Sequence, residues 1–350
     1  MGKIKKVFAI TSAMLIFTGA VGCTFQKESS DGKNEDTSVN RNEIKEDIPI
    51  DVTNFPDEKF RNYIDLNLDS DGDKKLSGGE IYRLEEIDVN DSEIADLTGI
   101  EHFTSLKKLD CSSNNLTAID LSKNTALTYV DISNNELNYV DVSKNTALTT
   151  LKCYYINATS LDISKNTALT VLDCSYNNIS TLDLSNNAAL EELNCENNSL
   201  ISIDTSGNTA LKVLVCNRNN ISFLDVSNNA ALELIDFNDN QVSSIDFSRN
   251  PLLRTVCCNE NQLTSLDISG NSELQIFECT DNRISYLDLS RNPNLFQFKC
   301  SGNELQFLDV SQNTQLSLLE CQGNMITTLD IRNNRNLSIL NCDENVAINQ

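Results

Sequence analysis

Apolar and polar positions repeat in one fixed register from Leu106 to the end of the chain. A leucine recurs every 21 residues over twelve units without a gap, and a cysteine column keeps the same period beside it. Ile132 and Phe237 fill the two points that cysteine leaves empty. An unbroken register of this kind indicates one structural unit stacked on itself, which is a solenoid. The cysteines of the column are Cys111, Cys153, Cys174, Cys195, Cys216, Cys258, Cys279, Cys300, Cys321 and Cys342.

Each unit consists of two similar halves of 10 and 11 residues, and an asparagine follows the apolar positions of each half. Leu109 and Cys111 have the spacing of two inward side chains on a strand. Ile119 and Leu121 repeat that spacing and predict a second, shorter strand on the opposite side of the coil. The apolar positions and asparagines of the first regular unit, which begins at Leu106, are Leu106, Leu109, Cys111, Asn114, Leu116, Ile119, Leu121 and Asn124.

This pattern resembles bacterial leucine-rich repeats of the short nested type, and the resemblance covers residues 84–350. An atypical first unit of 22 residues, from Leu84 to Leu106, resembles that of internalin-like surface proteins. The resemblance implies a right-handed, mostly β solenoid with a parallel sheet on its concave side and short strands or turns on its convex side. A small helical cap over residues 51–83 is expected to cover the first coil.

The asparagine, cysteine and aspartate columns of the repeat have structural interpretations. The asparagines are predicted to bond the turns and neighbouring coils, because one amide group both donates and accepts. The cysteines are predicted to be buried free thiols, with disulfides or a metal thiolate site as alternatives, and Cys257 is expected to be exposed. An outward aspartate column, from Asp120 to Asp330, either shapes turns through local N–H groups or recruits cations.

The first residues resemble the export signal of a bacterial lipoprotein. Lysines precede an apolar segment that ends at Ala20-Val21-Gly22-Cys23, similar to a lipobox. The resemblance implies cleavage of residues 1–22, acylation of Cys23 and anchoring to the outside of the cell membrane, although an ordinary secretion signal is the alternative. Residues 23–50 are polar and charged, so we expect a disordered tether.

The cap contains an acidic loop between two predicted helices, the first over Phe55–Leu68. The loop resembles the twelve-residue calcium loop of EF-hands, although Lys74 replaces the glycine that the family uses for positive φ. The resemblance implies weak calcium binding, and the alternative is an acidic turn without an ion. The implied ligands are Asp69, Asp71, Asp73, Lys75 through its carbonyl group, Ser77 and Glu80.

Charge and composition exclude several classes of function. The net charge of -24 disfavours nucleic acid, because phosphate repels carboxylate. His102 is the sole histidine and lies near the cap. The sequence has neither a nucleophile-elbow motif nor a glycine-rich phosphate-binding motif, so we do not expect an enzyme.

The third unit, which begins at Leu148, departs most from the repeat. Tyr154-Tyr155-Ile156 replaces the usual Ser-x-Asn, and Ala158 replaces a large core residue. Local departures from a rule often mark function, and aromatic side chains suit sugar stacking or a protein hot spot. The alternative is tolerated sequence drift. The candidate ligand-binding residues are Tyr129, Tyr154, Tyr155 and Tyr176.

The sequence therefore predicts a lipid-anchored surface protein that binds an extracellular protein or glycan. The alternative is a calcium-dependent structural component without a dedicated ligand. At the far end, either the final residues fold back over the last coil or the ends of two molecules meet.

Overall fold

The computed structural model describes residues 47–350. The predicted signal peptide, the lipid-attachment residue Cys23 and the tether up to residue 46 lie outside the described residues. Within residues 47–350, no helix combines the length and the apolar character that crossing a membrane requires.

A small cap precedes the repeats. In chain order its elements are β1 (Ile48–Pro49), α1 (Glu58–Asn67), β2 (Lys75–Leu76) and α2 (Gly78–Arg83). Strands β1 and β2 pair antiparallel. Ile48 and Pro49, which were predicted to belong to the tether, are therefore part of the cap. The first helix is also shorter than predicted, because it begins after Pro56 and ends before Leu68.

Asp57 joins the cap to the first coil. One carboxylate oxygen caps α1 by accepting from the backbone N–H of Lys59 at 2.8 Å and of Phe60 at 3.0 Å. The other accepts from the N–H of Ala95 at 2.8 Å. Burial by itself raises the pKa of Asp57, but the backbone N–H groups outweigh it and the pKa is lowered. The same carboxylate therefore stabilises both the helix and its contact with the repeats.

Thirteen parallel strands form the concave sheet, each contributed by one coil. Pairing advances by 21 residues per coil, as in Lys108 opposite Tyr129. The strands are β3 (Glu86–Asp88), β4 (Lys108–Asp110), β5 (Tyr129–Asp131), β6 (Thr150–Lys152), β7 (Val171–Asp173), β8 (Glu192–Asn194), β9 (Val213–Val215), β10 (Leu234–Asp236), β11 (Thr255–Cys257), β12 (Ile276–Glu278), β13 (Gln297–Lys299), β14 (Leu318–Glu320) and β16 (Ile339–Asn341).

The convex side consists mainly of turns. The predicted second strand forms only at β15 (Thr328–Asp330), which pairs with β17 (Ala347–Asn349), among residues 47–350. In the other coils, asparagine and aspartate side chains bond the backbone groups that a convex strand would have used. The prediction of a convex strand is therefore wrong for most of the solenoid, whereas the predicted turns are confirmed.

A continuous apolar core runs through the solenoid. In the fifth coil, Leu190, Leu193, Cys195 and Leu200 each have 0% exposure. Burying one large apolar side chain contributes about 1.5–3 kcal/mol. Nine of the ten column cysteines are buried, Cys342 is partly buried, and none of the eleven described cysteines forms a disulfide, which confirms the predicted buried free thiols. Burial raises the pKa of thiols such as Cys195, so these groups remain neutral.

Two asparagine columns connect the coils, but only the first both donates and accepts as predicted, because most Oδ1 atoms of the second column, such as that of Asn145, are buried without a donor among the described residues. In the first column, the Nδ2 group of Asn135 donates to the carbonyl oxygen of Cys111 in the preceding coil at 3.0 Å. Its Oδ1 accepts from the N–H of Leu116 at 3.0 Å. In the second column, Asn145 donates to the carbonyl oxygens of Leu121 and Asn124, at 3.0 and 2.9 Å. Each amide therefore satisfies turn carbonyls that no strand pairs.

The aspartate column faces outward and shapes turns. The Oδ1 atom of Asp246 accepts from the backbone N–H of Ser248, two residues later, at 2.8 Å. The backbone and hydroxyl bonds of Ser248 lower the pKa of Asp246. Asp120 and Ser122 repeat this arrangement at 2.8 Å. The local hydrogen bonds that we considered as the structural explanation of this column are thus present.

Candidate functional site

Three side chains of each coil face the concave side of the solenoid. They are the first and third residues of the strand and the residue after the cysteine column. In the third coil these are Thr150, Lys152 and Tyr154, while Leu151 and Cys153 between them are buried. Because the paired coils are in register, each of these positions forms a column across the sheet, and we call the three columns the concave surface.

The four predicted tyrosines lie together on this surface and along its edge. We call Tyr129, Tyr154, Tyr155 and Tyr176 the tyrosine patch. The rings of Tyr155 and Tyr176 stack with centroids 4.5 Å apart and an interplanar angle of 15°. Tyr154 meets Tyr155 edge to face, with centroids 6.2 Å apart. The ring contacts hold three of the four side chains in one arrangement.

The backbone at this edge is unfavourable for an aromatic residue. Tyr155 has φ 53° and Tyr176 has φ 54°, in the left-handed region. Asn134 and Gly302 occupy the same column with φ 54° and 65°, and these residue types tolerate the conformation better. Placing a tyrosine there costs about 1–2 kcal/mol per residue. Arg218 and Glu260 adopt φ 55° and 54° in the same column, so the strain is common to the coils, and what distinguishes Tyr155 and Tyr176 is that their rings stack.

Lysines flank Tyr129 from the coils on either side. The Nζ atoms of Lys108 and Lys152 lie 5.6 and 5.7 Å from the centroid of the Tyr129 ring. Such cation–π contacts contribute about 0.5–1 kcal/mol each at exposed sites. Burial and the nearby carboxylates of Asp131 and Asp110 raise the pKa of Tyr129. These lysines were not predicted from the sequence, although Lys108 lies in the same variable strand column as Tyr129, and Lys152 lies in the column of Asp131.

An acid–base pair continues the patch along the solenoid. The hydroxyl of Tyr176 donates to Oε1 of Glu196 at 2.9 Å, and the guanidinium of Arg218 lies 3.6 Å from the same oxygen. Burial and the hydrogen bond to Glu196 raise the pKa of Tyr176 to about 12. Tyr176 therefore remains a neutral donor at physiological pH. Its hydroxyl is fixed by Glu196 and its ring by the stacking on Tyr155.

The core of the third coil accommodates its unusual sequence. Ile156 is fully buried and Ala158 is 1% exposed, consistent with the larger residue replacing volume that the smaller one leaves. The third coil lacks an asparagine at position 156. Asn177 of the next coil compensates, because its Oδ1 accepts from the N–H of both Ile156 at 3.2 Å and Ala158 at 2.9 Å.

Three carboxylates converge in the acidic loop of the cap. Asp69, Asp71 and Asp73 each offer an oxygen atom within 4.8 Å of the others. The N–H groups of Gly72 and Lys74 donate to Asp69 at 2.8 and 2.9 Å. Lys74 adopts φ 66°, the positive value that the resemblance requires of this position. This set of hard oxygen ligands fits a divalent cation such as calcium.

Glu80 has a different role in this structure. Its Oε2 accepts from the N–H and hydroxyl of Ser77 at 2.9 and 2.8 Å, which forms a capping box for α2. Its Oε1 accepts from the N–H and hydroxyl of Ser70 at 2.7 and 2.6 Å. These bonds outweigh burial, which alone raises the pKa, and lower the pKa of Glu80 to about 2. Bidentate binding of a cation by Glu80 therefore competes with four hydrogen bonds.

The predicted exposure of Cys257 is wrong. This side chain lies on the concave surface but is 2% exposed, because neighbouring strands are only about 4.8 Å apart and Asp236 and Glu278 flank it in the sheet. Side chains on one face of a closely paired sheet cover one another. The same effect leaves Asp131 6% exposed and Asp236 2% exposed.

The comparisons with known proteins identify the family. No family model matches the chain. The solved functional domain of InlJ from Listeria monocytogenes, which includes a cysteine ladder, is 33% identical. The match covers 87% of this chain and 72% of that chain, with a TM-score of 0.79. This chain belongs to the internalin-like leucine-rich repeat family.

A second internalin resembles this chain, and Internalin J itself also matches it over a short segment. An internalin from Listeria monocytogenes, InlF, is 22% identical, covers 85% of this chain and 97% of that one, and shares its fold with a TM-score of 0.67. Internalin J of Listeria monocytogenes is 39% identical over 71 residues, or 20% of this internalin-like chain. The matched segment spans 8% of the length of Internalin J.

Proposed function

We propose that this internalin-like chain is a bacterial surface lipoprotein that recognises an extracellular protein through the tyrosine patch. The observation that carries the proposal is the stacked pair Tyr155 and Tyr176, held at φ 53° and 54° on adjacent coils. A conformation that costs stability but presents preorganised aromatic rings is typical of a binding hot spot. Tyr155 remains 37% exposed, so part of this arrangement is accessible to a partner.

The geometry favours a protein over a glycan. Sugar recognition by stacking needs an open aromatic face. The lysine ammonium groups flank Tyr129 from both neighbouring coils, and Tyr155 and Tyr176 cover one face of each other. The mixture of rings, lysines and carboxylates in the patch instead matches the mixed chemistry of a protein surface. A glycan remains the alternative ligand that the binding experiment distinguishes.

Calcium binding by the cap is part of this proposal. Asp69, Asp71 and Asp73 would supply carboxylate oxygens, Lys75 its carbonyl group, and Ser77 and Glu80 the remaining oxygens. The bound ion would neutralise the mutual repulsion of the carboxylates and stabilise the loop between α1 and α2. Because Glu80 would have to give up hydrogen bonds, the affinity we expect is in the millimolar range, about 10⁻⁴–10⁻³ M.

Lipid attachment at Cys23 would hold the protein on the outside of the cell membrane. The concave surface would then be presented to partners outside the cell. Labelling cells with a radioactive fatty acid tests this part, because Cys23→Ala abolishes incorporation if the proposal is correct.

A calcium-dependent structural component is the second candidate function. Leu337, Leu340, Cys342 and Ile348 in the last coil are only partly buried. An apolar end of this kind is where two molecules would meet end to end. Analytical ultracentrifugation with and without calcium tests it: calcium-driven dimers together with no captured partner favour this function over recognition.

A binding screen tests the leading proposal. The protein is presented to arrays of extracellular proteins and of polysaccharides, and each hit is titrated. Tyr154→Ala combined with Tyr155→Ala should weaken binding of the true partner by roughly 30-fold or more, because hot-spot truncation costs about 2 kcal/mol or more. The matched control combines Tyr139→Ala and Tyr286→Ala, which removes two exposed tyrosines from outside the concave surface. Equal binding by both double variants contradicts the proposal.

A further inference from the structure

The concave surface contains a buried carboxyl group without a cationic partner. Asp236 at the end of β10 is 2% exposed and pairs with Val215 on one side and Cys257 on the other. Among residues 47–350, its one hydrogen-bond donor is the backbone N–H of Asn238, 3.1 Å from Oδ1. Burying a carboxylate between two apolar neighbours with a single donor is unfavourable.

A second acceptor in the same place also lacks a donor. The amide oxygen of Asn217 is buried, and no donor within residues 47–350 reaches it. In the following coils this column is satisfied, because the N–H of Asn259 donates to Oδ1 of Asn238 at 2.6 Å and the N–H of Thr280 to Oδ1 of Asn259 at 2.7 Å. By the same register, the N–H of Asn238 is the donor that would correspond to Oδ1 of Asn217, but it donates to Asp236 instead.

When Asp236 is ionised, its carboxylate and the amide oxygen of Asn217 are two buried acceptors, and the N–H of Asn238 bonds only the first. The site is then short of hydrogen-bond donors. We propose that the carboxyl group of Asp236 and the amide oxygen of Asn217 bind the guanidinium of an arginine presented by a protein on the concave surface. A guanidinium supplies several N–H donors in a planar fork, so it can bond both acceptors at once and neutralise the carboxylate. This inference rests on the proposed recognition function and specifies one side chain of the partner.

The charged groups around Asp236 are already committed to one another. Arg218 lies 3.6 Å from Glu196, and Lys299 lies 2.9 Å from Glu278. The two glutamates oppose ionisation of Asp236, whereas Arg218 favours it. Burial is the largest influence, and the pKa of Asp236 is raised to about 7. Within the described part of the chain, no cationic side chain forms an ion pair with this carboxyl, which leaves that role to a ligand.

The other ligand classes fit less well. Within the described residues, Asp69, Asp71 and Asp73 form the one group of three acidic, cysteine or histidine ligands close enough for a metal ion, so Asp236, Cys257 and Glu278 do not form one. A lysine ammonium is a compact charge and satisfies two separated acceptors less well than a guanidinium. Asp236 lies on the concave side, because Ile235 and Phe237 beside it in the chain are fully buried in the core, and a ligand reaches it once the side chains that cover it move aside.

The test uses the full chain and the small probe N-acetyl-arginine amide at about pH 8, where Asp236 is mostly ionised. Because neighbouring side chains must move aside, we expect millimolar affinity. In NMR titration the probe should shift the backbone N–H of Asn238 and the side-chain amide of Asn217 saturably. Asp236→Asn should weaken binding roughly tenfold, in line with the loss of a charged hydrogen bond. N-acetyl-lysine amide should bind more weakly, and binding should weaken roughly tenfold near pH 5.5.

The matched control is Asp246→Asn, which removes the same charge from the outward column. General attraction of a cation to a chain of net charge -24 falls equally in both variants, whereas specific binding falls only with Asp236→Asn. Equal losses, or shifts confined to other residues, overturn the proposal. If the probe leaves Asn217 and Asn238 unchanged while partner capture still depends on Tyr154 and Tyr155, the arginine site is wrong and the recognition function stands.

Discussion

Aspartates on the two faces of the solenoid behave in opposite ways. On the outer face, Asp246 and Asp267 are exposed, and each accepts a backbone N–H two residues later, at 2.8 and 2.9 Å. These bonds lower the pKa of both groups. On the concave surface, Asp131 and Asp236 are buried, and burial raises their pKa values. The outer aspartates therefore support the fold, whereas the inner ones oppose it at neutral pH.

The difference teaches where the chain departs from its most stable form. An outer aspartate has the same local partner in every coil, so repetition alone explains it. An inner aspartate has neighbours that differ between coils. Burial among them makes its ionised form unfavourable, so ionising it destabilises the folded state. Costly groups persist in folded proteins mainly where a site needs them. The concave surface is accordingly the part of the molecule that we connect with recognition.

The largest expected effect that separates the two faces is that of Asp236→Asn. Raising the pKa from its ordinary 3.8 to about 7 corresponds to about 4 kcal/mol when the group is ionised in both states. The folded state binds the proton more tightly, so wild-type stability is lost as the pH rises from about 4 through about 7. Asn removes this loss. Chemical denaturation should show a more stable variant at about pH 8 and no difference at about pH 3.5.

Calcium should have the next largest effect, and it should act on the cap. If the dissociation constant is about 1 mM, calcium at about 10 mM stabilises the folded state by about 1.4 kcal/mol. Thermal unfolding should show a rise in Tm beyond that in NaCl of equal ionic strength. Asp69→Asn combined with Asp71→Asn should remove the rise, whereas Asp246→Asn should leave it unchanged. A rise that depends instead on the outer column would assign the cation to that column.

A smaller gain is expected from Asp131→Asn. Asp131 is also buried, but the N–H of Ser133 donates to it at 3.1 Å and Lys152 is its neighbour in the sheet. Because these groups offset part of the cost of burial, the variant should be stabilised by no more than about 1 kcal/mol at neutral pH. Denaturation curves of the two inner variants side by side check this order. A larger gain in stability from Asp131→Asn than from Asp236→Asn would contradict this explanation, in which Asp236 is less stable because it lacks a neighbouring cation such as Lys152.

The smallest effect is expected from Asp246→Asn on the outer face. Its pKa is lowered in the folded state, so its contribution is present above the ordinary value and is lost as the pH falls. The variant should be slightly less stable than the wild type at neutral pH and equal to it in acid. An increase in stability at neutral pH, of the kind expected for Asp236→Asn, would remove the distinction between the faces.

The repeat made much of this fold predictable from sequence. Leu106 and Cys111 have buried counterparts in the next coils, and Asp120 faces outward because its neighbours in the chain point into the core. What failed depends on contacts between coils or between loop residues. Cys257 is covered by side chains from adjacent strands, and Glu80 bonds Ser70 and Ser77. A pattern of in and out positions carries no information about how completely neighbours cover an outward residue.

The candidate site was predictable only in part. The departure from the repeat at Tyr154 and Tyr155 located the tyrosine patch, since it breaks a column that is otherwise regular. Lys108 and Lys152 were missed because each looks like an ordinary surface lysine within its own coil. Asp236 also looks like an ordinary surface residue within its own coil. Its carboxylate is unfavourable because Val215 and Cys257 lie beside it in the sheet, and they belong to other coils.

The most direct test of the comparison between the faces is an NMR titration of the aspartate carboxyl carbons in the isotopically labelled chain. The account predicts that the carbon of Asp236 titrates near pH 7, while those of Asp246 and Asp267 titrate below the ordinary value of 3.8. Titration of Asp236 together with the outer aspartates would contradict it, because the concave surface would then hold no costly charge for a partner to neutralise.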